Sequence, residues 1–362
     1  MKKTAWLIPA MGLTVGASAL AQSELSLYGT LDTGLLSSQL PNLRANEQLT
    51  GGYLPNFWGL KGSEDLGGGL KALFQLESGF NLSNGAYGQF PPSTSFFNRQ
   101  ANIALSSELG TLKVGQQNNV AFLSMLAVDP RGGSNLGSIL QYWVMGNGST
   151  SDSNAISYTS PDLAGLTLRG EYAFGNVAGN NSAGSGTRWG AVYRQQALVL
   201  AAGAYAQKDP TTGTQTNKGQ VWGAGYQWGA FTLKADLARF SGGFQVGAGG
   251  SVSPSRTGEL NAYGLGGRYD FTPLTAFDVG YYSVKDPGNT TRIKAQSLAV
   301  GAYHRLSKTL LLYAQVVAIN NQGEASAKYP LLVNTAANSS PAGFMAASGH
   351  GHQYNVGVRY AF

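Results

Sequence analysis

The chain has 362 residues, no cysteine, 51 glycines and 12 % charged residues, about half the usual quarter for soluble domains. The missing cysteine excludes disulfide frameworks, thiolate metal sites and cysteine nucleophiles. The formal net charge is +6, but the basic residues are scattered singly, which argues against a nucleic-acid partner.

Residues 1–21 have the plan of a secretory signal peptide. Lys2 and Lys3 form the basic start, a short apolar core follows, and Ala19-Leu20-Ala21 gives the small-x-small cleavage pattern. Pro9 and Gly12 interrupt the apolar core, which argues against a retained anchor, and cleavage after Ala21 starts the expected mature chain at Gln22. Losing Lys2 and Lys3 takes the net charge from +6 to +4. No run approaches the ~18 apolar residues of a membrane helix.

After Gln22 the sequence divides into alternating stretches of about ten residues. The expected strands are 24–36, 56–63, 70–79, 99–107, 111–117, 154–160, 166–175, 187–195, 197–208, 219–228, 230–240, 259–270, 274–285, 293–305, 309–320 and 352–362. Short turns at 64–69, 108–110, 161–165, 195–196, 271–273 and 306–308 alternate with long loops. The loops at 37–55, 80–98, 176–186, 241–258 and 321–351 are rich in Gly, Ser, Asn and Pro. In the last strand Tyr354, Val356, Val358, Tyr360 and Phe362 share one face, and Asn355, Gly357, Arg359 and Ala361 share the other. Aromatics flank aliphatics on the first face, as in the girdles and band of a membrane barrel. The expectation is an all-β fold over 22–362: a transmembrane antiparallel β-barrel of about 16 strands, in the bacterial outer membrane, with both termini periplasmic.

The stretch 118–153 is too long for a plain loop. It carries Phe122, Leu123, Met125, Leu126, Ile139, Leu140, Tyr142 and Trp143 around Asp129-Pro130-Arg131-Gly132-Gly133. A segment folded into the lumen would lay its apolar side on the wall and offer Asp129 and Arg131 to the channel. The alternative is an ordered external lid.

Enzymatic chemistry finds no support. His304, His350 and His352 are the three histidines, and no Ser-His-acid set or zinc-ligand spacing can be placed. Gly247-Ala248-Gly249-Gly250 is not a phosphate loop, because no lysine or strand-helix context follows. No cofactor and no metal are expected.

The run from Gly62 to Phe80 (GSEDLGGGLKALFQLESGF) resembles the general-porin family of β-proteobacteria and Neisseria. So do Leu27-Tyr28-Gly29-Thr30-Leu31-Asp32, Arg99-Gln100-Ala101, the run Asn154 to Pro161, and Tyr303-His304-Arg305-Leu306-Ser307-Lys308 with Tyr313. The resemblance covers the whole mature chain. It implies a homotrimer of sixteen-stranded barrels set in outer-membrane lipid and lipopolysaccharide, with the third loop, 118–153, folded inward as a constriction. It implies a channel for small hydrophilic solutes and ions. Tyr360 and Phe362 resemble the terminal signal read by the barrel-assembly machinery. Phe57 and Gln116 are neutral where relatives carry lumenal cations.

Alternation gives the expected pore-lining residues: Tyr28, Asp32, Phe57, Lys61, Gln75, Glu77, Gln100, Asn102, Arg169, Glu171 and Arg359, joined by Asp129 and Arg131 from the long loop. Arg169 has two readings, a structural pair with Glu171 or a neighbour, or an ion-steering charge. Arg99 shares parity with the lipid-facing Ile103 and Leu105, and joins the inner wall only if a bulge intervenes. Acids and arginines nearly cancel in this set, so weak charge selectivity is expected. A rival reading has Phe57, Tyr142 and Trp143 lining a substrate-specific path for a sugar or an aromatic acid. A third is a plugged barrel whose outer loops act as adhesin or receptor.

Overall fold

The computed structural model describes residues 24–40, 43–88, 95–145, 148–245, 252–288, 294–322 and 349–362. The expected signal segment 1–21, the glycine run 247–250 and most of the loop 321–351 lie outside the described residues. The strands are β1 (Glu24–Leu40), β2 (Leu43–Thr50), β3 (Phe57–Gly67), β4 (Leu70–Gly79), β5 (Gln100–Ser107) and β6 (Gly110–Asn118). Two helices follow, α1 (Val120–Val128) and α2 (Leu140–Met145). Then come β7 (Ser151–Thr159), β8 (Leu166–Ala173), β9 (Gly186–Gln195), β10 (Leu198–Lys208), β11 (Gln215–Trp228) and β12 (Phe231–Gln245). The last five are β13 (Val252–Asp270), β14 (Thr275–Lys285), β15 (Lys294–Arg305), β16 (Leu310–Gln322) and β17 (Gly349–Ala361).

From β3 to β17 each strand pairs antiparallel with the next in the chain. β1 closes the ring, pairing with β17 over 30–39 and with β3 over 24–30. The result is a closed antiparallel barrel with sixteen strands in its ring. Closure matters because unpaired backbone groups at a sheet edge have no partner in hydrocarbon.

β2 is the element the sequence pattern did not give. It pairs with β1 over 33–40, along the edge that β3 leaves at Thr30. It belongs to what was expected to be the loop 37–55. Arg44, Asn46 and Gln48 on it are exposed, and Glu47 breaks the set Leu43, Ala45 and Leu49 that alternates with them in the sequence. β11, β12 and β13 also run past their expected ends, at 215–218, 241–245 and 252–258.

Alternation decides the two faces. On β14, Phe277, Val279 and Tyr281 are exposed on the outer surface, while Asp278, Gly280 and Tyr282 are buried. The outer face of a membrane barrel meets lipid, so its apolar side chains are at home there. The turn between β3 and β4 holds Gly67, Gly68 and Gly69 at φ of 83°, 60° and 80°, a left-handed run that side chains with a Cβ resist. The main apolar cluster joins Leu136, Ile139, Tyr142 and Trp143 of the long segment to wall residues that include Tyr205, Phe240, Leu260, Tyr282 and Val317.

Candidate functional site

The segment 118–153 begins at the end of β6. Asn119 caps α1: its Oδ1 accepts from the N–H groups of Ala121 at 2.9 Å and Phe122 at 3.1 Å. Such a cap satisfies donors that the first helical turn leaves open. Asn119 Nδ2 donates to Asp152 at 2.8 Å. Arg188 donates to the two oxygens of Asp152 at 2.9 and 2.8 Å, a bidentate pair of the strong kind. Glu171 accepts from the Val120 N–H at 3.3 Å. Carboxylates from β7 and β8 thus meet the positive end of α1. Glu171 is therefore buried against the helix rather than open to the channel, which corrects its expected role.

α1 is apolar almost all round (Val-Ala-Phe-Leu-Ser-Met-Leu-Ala-Val); Val120, Ala121, Ser124, Met125 and Val128 are buried, while Phe122, Leu123, Leu126 and Ala127 are half-buried. It sits on glycines of the inner wall. A Cβ at Gly190 would lie 2.4 Å from Ser124 Oγ, one at Gly203 would lie 3.1 Å from Ala121 Cα, and one at Gly223 would lie 2.6 Å from Val128 Cγ2. The track continues on β13 and β14. A Cβ at Gly266 would lie 2.8 Å from Pro130, and one at Gly280 would lie 2.9 Å from Arg131 Cδ. These positions have no side chain because the segment occupies that space.

Beyond α1, Asp129 accepts from Tyr282 Oη at 2.8 Å, from the Ile139 N–H at 3.3 Å and from the Gly133 N–H. Burial pushes its carboxyl up from the ordinary value, and these hydrogen bonds oppose the shift. Arg131 Nε donates to Asp278 at 2.9 Å, its Nη1 to the Gly137 carbonyl at 2.9 Å and its Nη2 to Tyr303 Oη at 3.1 Å. Asp129 and Arg131 are 0 % and 3 % exposed. Neither offers its charge to channel water, as the sequence had suggested. Both fasten the segment to the wall. Tyr142 and Trp143 are equally enclosed, at 1 % and 0 %, so they line no aromatic path.

On the opposite part of the wall, Asp32 is fully buried. It accepts from Tyr313 Oη at 2.6 Å, from the Gly52 N–H at 2.9 Å and from the Leu54 N–H at 3.0 Å. Its carboxylate therefore holds the chain between β2 and β3, and is a correction to its expected pore-lining role. The same turn meets the long segment, where the Asn135 N–H donates to the Tyr53 carbonyl at 2.9 Å.

The next group runs across β1, β3, β4 and β5. Glu77 accepts from Tyr28 Oη at 2.8 Å, Gln75 at 2.8 Å, Gln100 at 2.9 Å and Arg99 Nε at 3.1 Å. It is 4 % exposed, so its charge too is spent in the wall. Gln100 and Asn102 are buried, with Asn102 donating to the Gln116 carbonyl at 2.8 Å. Phe57 meets the Tyr28 ring, and Lys61 is exposed beside it. Arg99 turns inward onto Glu77 and Phe57. No bulge is needed, because β5 begins only at Gln100 and Arg99 precedes the alternation.

The charge distribution across the inner wall is uneven. Six of its acids, Asp32, Glu77, Asp152, Glu171, Asp236 and Asp278, are each at most 8 % exposed. Glu24, Asp65 and Asp270, at strand ends beside the short turns, reach water, and Asp270 is paired with Arg268 at 2.8 Å. Among its cations, Lys61 and Arg194 are exposed, and Lys113, Arg169 and Arg359 are half-buried. Arg169 has no carboxylate within 4.0 Å among the described residues, so of its two readings the ion pair with Glu171 or a neighbour does not form. Arg359 makes one long contact, 3.4 Å to Thr30 Oγ1. Lys113, Arg188, Arg194, Lys234 and Asp278 were missed by the sequence reading. Each alternates with an outward apolar residue (Leu112, Trp189, Tyr193, Leu233, Phe277), so parity carried the signal. Asp152 was missed because β7 starts at Ser151, inside the expected loop.

At the barrel seam the Phe362 N–H donates to the Gly29 carbonyl at 3.1 Å, and the Gly29 N–H donates back at 2.9 Å. Tyr360 and Phe362 stack with centroids 6.1 Å apart on the outer face. No cluster of three or more metal-ligating side chains occurs among the described residues.

A closed β-barrel with an apolar outer belt, a polar inner wall and a long segment fastened across that wall defines an outer-membrane channel. The Gram-negative porin family matches residues 8–324, and the chain belongs to that family. It is 26 % identical over 374 residues to outer membrane porin protein 32 of Delftia acidovorans, covering 100 % of both chains. It is 28 % identical over 188 residues to major outer membrane protein P.IB of Neisseria gonorrhoeae, about half of each (50 % and 51 %). Among solved structures, the anion-selective porin from Comamonas acidovorans superimposes with a TM-score of 0.77 at 24 % identity, over 94 % of this chain and 100 % of that one. The protein is an outer-membrane porin through which small solutes diffuse passively.

Proposed function

We propose that the segment 118–153 narrows the lumen and that the narrowed water column favours anions. The carrying observation is the uneven access of charge: Asp32, Glu77, Asp152, Glu171, Asp236 and Asp278 are buried and the open acids Glu24, Asp65 and Asp270 stand at strand ends beside the short turns, while Lys61, Lys113, Arg169 and Arg194 reach water. Ions respond to charges within about a Debye length, ~8 Å at physiological salt. The lining therefore outweighs the chain's total charge. Register supports a continuous path. Arg194, Val199, Gly225 and Lys234 lie on one row across β9 to β12, and Gly225 leaves room for Lys234 to lie across it. The weak selectivity expected from near-cancelling charges counted Asp32, Glu77, Asp129 and Glu171 as open. The similarity to a structure described as an anion-selective porin agrees with the revised reading.

Transport is passive and no reaction is catalysed. We extend the reading to a homotrimer in contact with lipopolysaccharide and delivered by the barrel-assembly machinery; family membership supports the trimer. Cross-linking of the folded protein tests the first of these. The constriction is tested by deleting 127–140. The wall keeps its hydrogen bonds, so heat-modifiable folding persists, conductance rises and larger sugars enter loaded liposomes. Unchanged conductance places the segment outside the narrow part of the lumen.

A further inference from the structure

One group on the inner wall combines open charge with open aromatic surface. Lys61 Nζ lies 5.0 Å from the Tyr28 ring centroid. The Tyr28 and Phe57 rings meet edge to face at 5.9 Å. The Arg99 guanidinium lies 4.7 Å over the Phe57 ring. The four side chains form a cation-ring-ring-cation series. Gly59 makes it possible, since a Cβ there would lie 3.0 Å from Tyr28 Cζ. Glu77 does not neutralise the series fully. It is buried and accepts from Tyr28, Gln75, Gln100 and Arg99. Lys61 is exposed and has no carboxylate within 4.0 Å among the described residues.

We propose that Tyr28, Phe57, Lys61 and Arg99 form a subsite for monocyclic aromatic carboxylates of the benzoate class. The proposal rests on the anion-channel reading above and names a substrate class for it. A carboxylate supplies the counter-charge that Lys61 lacks. A ring on the same molecule meets the half-exposed Phe57 and Tyr28 rings, whose flanking cations favour aromatic faces. A short aliphatic carboxylate satisfies the charge alone, and a neutral aromatic alcohol satisfies the ring surface alone.

The test is chloride current through the protein in planar bilayers, titrated with benzoate, acetate and benzyl alcohol. Benzoate reduces the current saturably, with half-effect about tenfold below that of acetate, the scale of one added aromatic contact. Benzyl alcohol gives no saturable effect. Phe57→Leu keeps apolar bulk but removes the ring, and brings benzoate to the level of acetate. Lys61→Gln, at an exposed position, does the same. Benzoate and acetate acting alike on the unsubstituted protein overturns the subsite, as does a benzoate effect that survives both substitutions. A protein that carries no chloride current overturns the channel reading and the subsite with it, so the two failures are distinguishable.

Discussion

Arg131 and Asp278 lie 147 residues apart in the chain and 2.9 Å apart in the fold, and both are buried. The pair ties the long segment to β14. Removing one member leaves the other charge buried and uncompensated, at a cost of ~3–5 kcal/mol. Arg131→Ala and Asp278→Leu should each lower stability by that order in urea unfolding from lipid vesicles. Arg131→Met combined with Asp278→Leu should recover most of the loss, because an apolar pair leaves no orphan charge. A double variant as unstable as the sum of the singles would contradict the pairing.

The glycine track makes a separate prediction about the seat of α1. Gly203→Leu places a side chain where Ala121 and Ser124 now lie. The wall should still close, since the substitution leaves its ladder of backbone hydrogen bonds intact. Heat-modifiable yield should persist, while single-channel current becomes noisier and protease reaches the segment. Gly170→Ala is the control, because nothing lies within 4 Å of its Cβ position. Equal behaviour of the two variants would detach the glycines from the seating of α1.

The wall strands and the inward parity of Tyr28, Phe57, Lys61, Arg169 and Arg359 were legible in the sequence, because lipid on one side enforces a two-residue period. β2 was not legible, since it is only eight residues long and Glu47 interrupts the alternation of Leu43, Ala45 and Leu49 with Arg44, Asn46 and Gln48. The fate of Asp129 and Arg131 was hidden for another reason. Their partners Asp278, Tyr282 and Tyr303 are 147, 153 and 172 residues away, and alternation reports which face a side chain is on, not what covers it. Asp32 was misread in the same way. Its inner-face placement held, but the amides that cover it come from the turn after β2.

The seam predicts how the terminus acts. Phe362 shares two backbone hydrogen bonds with Gly29, and its ring fills the space beside that glycine, with Cζ 2.6 Å from a Cβ placed there. Deleting Phe362 should lower the folded, heat-modifiable fraction in the outer membrane without altering export. Gly29→Val should do the same by displacing the ring. Normal folded yield in both would remove the seam from the assembly account.

Lys113 and Arg169 carry the local form of the charge argument. Replacing both with glutamine removes two water-accessible cations from the inner wall and leaves the buried acids in place. Relative permeability should move toward cations, with the largest shift at low salt, where screening is weakest. A shift that is the same at low and high salt would mean that the substitutions act through structure rather than charge.

The reversal potential of the unsubstituted protein in a planar bilayer across a steep KCl gradient tests the central claim most directly. Buried acids and accessible cations require a potential of the sign set by chloride. A potential near zero, or one of the sign set by potassium, would contradict the account.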